Sequence, residues 1–279
     1  MDSAASRVAG AGIQAGDREV PSVLMGRLTY EQYCDAVEAV DARFVELLAG
    51  SDLETPVPTC PGWTLADLTK HHGTTHRWME QLVRRRVTER VWSRDIPLDL
   101  PQDTAAYPAW LAGSVTLSLR TFRSADPDAP NWTHGADQHV RFYPRRLLFE
   151  AVVHLADAEL ALGRLPRIAP GIAADGIDEF LENLPYYSWI AEPVSRLKRD
   201  GERLALTATD TGDTWLITLG AGCTWETGRG DTSAAVAVRG PCSDLLLLTY
   251  GRLRPADTGR LRVTGDGELL GAWLGATGL

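Results

Sequence analysis

Apolar residues return every three or four positions in four separate segments along the first part of the chain, the spacing of one helix face. From Leu28 to Ala49 the stripe is Tyr33, Val37, Val40, Phe44, Leu47 and Leu48, with Asp35, Glu38, Asp41 and Glu46 mostly off it. Residues 51–62 then carry Pro56, Pro58, Pro61 and Gly62, which end any helix. A second helix is predicted from Thr64, with Asp67 three residues on as a variant of the capping box. Its face is Leu65, Leu68, His72, Thr75, Met79 and Leu82, and a helix through Val83 should project only one or two of His71, His72 and His76 inward. Residues 84–103, charged and broken by proline, read as a loop, and Trp110 to Phe122 as a third helix. Residues 124–143, with two prolines, Gly135, His134 and His139, read as a long irregular connection bordering a pocket.

The fourth segment, 144–163, is apolar nearly all round, the pattern of a buried helix. Pro144 suits the first helical position, and Gly163 the left-handed residue after the last turn. At 100° per residue, Glu150, His154 and Asp157 share one narrow stripe. A buried carboxylate and imidazole must be paired, hydrogen-bonded or bound to a metal. On this helix alone a simple Glu150–His154 pair and a metal site are both open.

Beyond Pro166 the pattern changes. Ala174 to Leu184 reads as a short helix, followed by a linker opening at Leu184-Pro-Tyr-Tyr. Strand-like segments follow at Leu204–Thr209, Thr214–Leu219, Cys223–Thr227, Ala234–Arg239 and Leu261–Thr264, the first two joined by a hairpin signal, Thr211-Gly-Asp. Short helices are predicted at Leu245–Tyr250 and Gly267–Leu274. The fold class is therefore two-domain α+β: a four-helix bundle over 26–168, a linker with a short helix over 169–202, and an α+β domain with a mostly antiparallel sheet over 203–279. Residues 1–25, small and polar without a signal-peptide core, read as a disordered tail.

A net charge of −9 and no basic run longer than Arg84-Arg85-Arg86 argue against nucleic acid or anionic membranes as main partners. Cys34, Cys60, Cys223 and Cys242 lie far apart, without a C-x-x-C pair, as in a cytoplasmic protein with reduced thiols. Nothing in the sequence speaks to oligomeric state.

Three stretches carry a family resemblance. Val57-Pro-Thr-Cys-Pro-Gly-Trp-Thr-Leu-Ala-Asp-Leu-Thr-Lys-His71-His-Gly-Thr-Thr-His-Arg-Trp78 closely resembles the signature of the mycothiol-dependent maleylpyruvate isomerase family, a group of DinB-like metal-dependent four-helix bundles. Glu150-Ala-Val-Val-His154-Leu-Ala-Asp157 is similar to its second signature. Val238-Arg-Gly-Pro-Cys-Ser-Asp-Leu-Leu-Leu-Leu-Thr-Tyr-Gly-Arg252 is similar to the core of its sterol-carrier-like C-terminal domain. The resemblance implies a divalent metal, normally zinc, held by His71, Glu150 and His154, with mycothiol as co-substrate and an arginine of the C-terminal domain over the metal. Arg252 fits that arginine best, with Arg254 as the fallback. Two imidazoles and one carboxylate leave a fourth position open, as catalytic rather than structural zinc shells do. Asp157 is a candidate to orient an imidazole, or a plain helix acid. The chain departs from the family pattern at Leu155-Ala156, where a bulky polar pair is usual, and at His72, where an apolar residue is usual.

The resemblance implies an enzyme that activates a low-molecular-weight thiol as thiolate for attack on a small electrophile, with Arg252 holding a carboxylate or developing negative charge. A thiol S-transferase is the favoured form and a cis–trans isomerase of the maleylpyruvate type the alternative. Others are a metal-dependent hydrolase, a non-catalytic small-ligand-binding protein, and a metal-free bundle in which Glu150 and His154 only pair.

Overall fold

The computed structural model describes residues 27–220, 223–228 and 233–278; the tail read at 1–25 and most of the Gly-Arg-Gly-Asp separator lie outside them. Four long helices come first: α1 (Tyr30–Ala49), α2 (Leu65–Arg84), α3 (Tyr107–Ser124) and α4 (Phe142–Ala161). Capping boxes fix two of the starts, Thr29 with Gln32 and Thr64 with Asp67, each satisfying orphan backbone N–H groups. Helix α1 packs on α3 and α4, and α2 on the same pair, closing a bundle around Phe44, Leu68, Met79, Phe122 and Leu147. Gly73 lets α2 and α3 approach closely, since a Cβ there would stand 2.2 Å from the Trp110 ring.

Helix α4 starts two residues earlier than Pro144, which sits third in the helix rather than first. The first four backbone N–H groups of a helix have no partner inside it, so proline costs nothing there either. At its other end Gly163 takes φ +69°, and the N–H groups of Gly163 and Arg164 donate to the carbonyls of Leu160 and Glu159.

The C-terminal part opens with α5 (Pro170–Asn183) and, after a 3-10 turn at Leu184–Tyr186, with α6 (Ser188–Ser195). The linker expected from Leu184 onward therefore contains a helix that local sequence does not announce. It is short, contains Pro193, and owes its form to packing against the last helix, where Ile190 and Val194 are buried. Strands β1 (Arg203–Ala208), β2 (Thr214–Thr218), β3 (Thr224–Gly228), β4 (Val236–Gly240) and β5 (Arg262–Gly265) form one sheet in the order β3-β2-β1-β4-β5. All pairs are antiparallel except β1 with β4. Helix α7 (Cys242–Thr249) follows β4, packs on α5 and touches β1 and β4, and α8 (Gly267–Thr277) closes the chain.

Buried and part-buried ion pairs join the two parts. Arg146 of α4 donates to Glu179 of α5 at 2.7 Å and to the Tyr250 hydroxyl at 3.1 Å, while Arg145 reaches Asp175 and Glu182. Among the described residues all four cysteines are free, and no helix is long and apolar enough to cross a membrane.

Candidate metal centre

Helix α4 brings Glu150 and His154 one turn apart, and α2 lays His71 against them. The ligand atoms of the three lie within 4.8 Å of one another. His154 Nε2 is 3.1 Å from Glu150 Oε2, and the His71 and His154 rings meet edge to face with centroids 4.9 Å apart. Trp63, leaving the proline-rich loop, covers the other side of His71 at 5.1 Å. His154 is 6% exposed and Glu150 about a quarter exposed (24%), so the set is buried at its base and open at one side.

Behind His154 stands a layer of fixed partners. Its Nδ1 is 3.0 Å from Asp157 Oδ2, which leaves Nε2 facing Glu150 and His71. Asp157 is fully buried and receives Thr59 Oγ1 at 2.6 Å, the Cys60 thiol at 3.5 Å, and two guanidinium bonds from Arg252 at 3.1 and 3.3 Å. The turns of residues 57–63 set Thr59 and Cys60 there: Cys60 N–H donates to Val57 O and Trp63 N–H to Cys60 O. Arg252 arrives through the end of α7. Gly251 adopts φ +73°, and the N–H groups of Gly251 and Arg252 close on the carbonyls of Leu248 and Leu247, turning the next side chain back toward α4. A side chain at residue 251 would strain that turn.

Charge and burial set the protonation of this group. Burial alone would depress His154, yet its bonds to Asp157 and Glu150 raise it to about 9. Burial, and then the neighbouring His154 charge, lower His71 to about 4. Burial disfavours ionised Glu150, but Arg146, which donates to Oε1 at 2.8 Å, and His154 hold its carboxyl well below the usual range. Asp157 is likewise held down, to about 2, by His154 and Arg252 against its burial. Burial and then Asp157 push the Cys60 thiol up to about 11, so Cys60 is a neutral donor here.

The donor set suits a divalent cation of the zinc class: two imidazoles and a carboxylate, one imidazole already oriented by a buried aspartate. Metal-free, the same atoms hold a proton between Glu150 and His154, which a cation would displace.

Of the residues singled out from sequence, His71, Glu150, His154, Asp157 and Arg252 are brought together. Arg252 touches Asp157, one layer behind the imidazole, and its side chain is only 6% exposed. Arg254 is exposed at the start of a 3-10 turn, bonded to Asp257. The expectation that one or two of the three α2 histidines point inward is met at its upper end: His72 and His76 are fully buried and His71 is half-buried. Buried polar partners, Asp41 and Ser118, make this possible where an apolar stripe alone would not. Sequence reasoning missed Arg146, whose i,i+4 spacing to Glu150 was the available signal, and Thr59, Cys60 and Glu179, which only tertiary structure brings in.

Comparison with known proteins gives two family matches. The profile of the mycothiol maleylpyruvate isomerase N-terminal domain matches residues 34–159, and that of the family's C-terminal domain matches residues 171–272. Among solved structures, the crystal structure of the mycothiol-dependent maleylpyruvate isomerase is 15% identical, covers 86% of this chain and 95% of its own, and has a TM-score of 0.58. A mutant of that isomerase gives 16% identity, the same coverage and a TM-score of 0.59. At this identity the likeness is one of fold. Curated protein sequences give no significant match.

Proposed function

This chain belongs to the mycothiol maleylpyruvate isomerase family, and on that premise we propose that it uses a low-molecular-weight thiol of the mycothiol type as a transient nucleophile for cis–trans isomerisation of a small unsaturated acid. The isomerase takes precedence over thiol S-transfer, the form favoured from sequence, because both family domains and the similar fold point to it. The observation that carries the reading is the convergence of His71, Glu150 and His154 on one open-sided point, with His154 aligned from behind by Asp157.

A divalent cation held there supplies a lowered thiol pKa, so that thiolate exists near neutral pH. The chain's own residues do the rest. Glu150 and the two imidazoles fix the position, and Asp157 holds the His154 ring with its Nε2 lone pair forward. Arg252 keeps Asp157 ionised and in place behind the imidazole. Arg146 does the same for Glu150 from the opposite side.

The chemistry balances without a redox partner. Sulfur bonds to one alkene carbon, and the π pair moves onto the conjugated carbonyl. The former double bond rotates, the pair returns, and the thiolate leaves unchanged. The free thiols Cys34, Cys60, Cys223 and Cys242 suit the reducing, cytoplasmic setting in which such a thiol is available.

The test is conversion of maleylpyruvate with and without mycothiol, following both product and free thiol. The proposal expects turnover only with thiol and no thiol consumed. Sulfur retained in the product would make the protein an S-transferase instead, and turnover without thiol would refute both.

A further inference from the structure

Behind the candidate centre lies a second group that the reaction above does not use. Asp41 of α1 and His72 and His76 of α2 are all at 0% exposure. His72 Nε2 is 2.6 Å from Asp41 Oδ1, His76 Nε2 is 3.0 Å from Asp41 Oδ2, and the two imidazole Nε2 atoms are 3.3 Å apart.

Hydrogen bonding alone leaves this group with a remainder. The Ser118 hydroxyl donates to Val115 O at 3.0 Å, so at 2.8 Å its oxygen accepts from His76 Nδ1–H. In a neutral ring His76 Nε2 is then a lone pair, and it faces His72 Nε2 and Asp41 Oδ2. A proton on His72 Nε2 serves Asp41 Oδ1 only. Asp41 Oδ2 keeps no hydrogen-bond donor, because His76 Nε2, though near, is not aligned for one. An unsatisfied carboxylate oxygen facing a lone pair in a fully buried site is costly.

One cation among these atoms would give both Asp41 oxygens and the His76 Nε2 lone pair a partner, while His72 Nδ1 stays without one. A tetrahedral ion with bonds near 2.0–2.1 Å has its ligand atoms about 3.3 Å apart. The His76 Nε2–Asp41 Oδ2 and His76 Nε2–His72 Nε2 separations, 3.0 and 3.3 Å, lie near that edge length, and the His72–Asp41 contact of 2.6 Å would have to open to admit the ion. Asp41 presents one oxygen to each imidazole, so a bidentate carboxylate and two Nε2 atoms make four donors with no vacancy. His76 is oriented from behind through Ser118, as metal-bound imidazoles are.

We propose that Asp41, His72 and His76 form a second divalent-cation site, of zinc type, closed and structural, distinct from His71, Glu150 and His154. It would tie α1 to α2 directly behind the candidate centre, where the His72 and His154 rings are 5.9 Å apart, and hold the turn of α2 that carries His71.

The test is the metal content of the full-length protein, loaded with Zn2+ and freed of excess ion by gel filtration. Wild type is expected to hold about two ions per chain, one closed and one open. The Glu150→Ala/His154→Ala variant, which leaves the second group intact, should keep one, resistant to brief chelation. Adding His72→Leu to it should remove that ion. The Co2+ form of the double variant should show tetrahedral d–d bands. A double variant that holds no metal overturns the second site, whatever wild type holds. So does an ion that survives His72→Leu. An ion missing only from the first site leaves this proposal standing and counts against the isomerase mechanism alone, so the two failures are distinguishable.

Discussion

Substituting Asp157→Asn separates a residue that tunes the centre from one that merely fills space. The change is isosteric and removes one charge from a fully buried position. Arg252, 6% exposed, loses one counter-charge, and His154 loses an anionic acceptor at 3.0 Å. The amide must also turn its NH2 toward a donor, since Thr59, Cys60, His154 and Arg252 all give hydrogen bonds to the carboxylate. Breaking a buried pair costs 3–5 kcal/mol, and because one oxygen still accepts, we expect about 3 kcal/mol of stability to be lost. The imidazole, less well oriented and less basic, should bind metal roughly 10–100-fold more weakly, or about 1.4–2.7 kcal/mol. Chemical denaturation measures the first loss, and competition with a chromophoric chelator the second. Burial opposes ionised Asp157, but His154 and Arg252 lower it to about 2, so its stabilisation is complete above the ordinary carboxylate value and lost only as pH falls through about 2. The difference between variant and wild type should therefore be flat across the neutral range. A variant whose metal affinity stays within about twofold of wild type, against the roughly tenfold minimum expected for an orienting partner, would refute the role given to Asp157.

Further expectations concern the same groups. His154→Ala should abolish metal retention at the candidate centre while far-UV circular dichroism and cooperative unfolding persist, because open catalytic shells are not a fold's main support; a collapsed fold would count against this. Cation uptake near neutral pH should release about one proton from His154, since its bonds to Asp157 and Glu150 raise it to about 9 against burial; calorimetry in buffers of different ionisation enthalpy measures it, and no release would contradict it. In the metal-free protein the protonated His154 stabilises fully below its ordinary 6.5, and this is lost as pH rises through about 9, so thermal stability should decline over that interval. Gly73→Ala places a methyl 2.2 Å from Trp110 and should cost about 1–3 kcal/mol, read by denaturant midpoint; an unchanged midpoint would mean that α2 and α3 can separate there freely.

Much of this arrangement was legible because it is local. The stripe Glu150–His154–Asp157 follows from helical geometry once 144–163 is read as a helix, and Tyr-Gly before Arg252 announces the left-handed turn that aims it. The α+β division follows from periodicity, strong in α1 through α4 and alternating in β1 and β2. The parts that were not legible depend on distant chain. Thr59 and Cys60 reach Asp157 only because the loop turns at Val57 and Cys60, and α6 is helical because α8 covers it. His76 lay off the face predicted for α2, and nothing in α2 itself reveals Asp41, the partner of both His72 and His76 across the helix interface. The thiol chemistry chosen first, S-transfer over isomerisation, rested on the breadth of the family, with a weak lean from the two residues after His154, too little to decide between outcomes that share a first step.

The proposed reaction requires that His71, Glu150 and His154 hold one cation that leaves a corner for a thiol. Absorption of the Co2+-substituted protein during titration with mycothiol tests this directly. A sulfur-to-cobalt charge-transfer band should appear and saturate at about one thiol per chain, and should be absent in His154→Ala. A Co2+ spectrum indifferent to mycothiol would contradict the account.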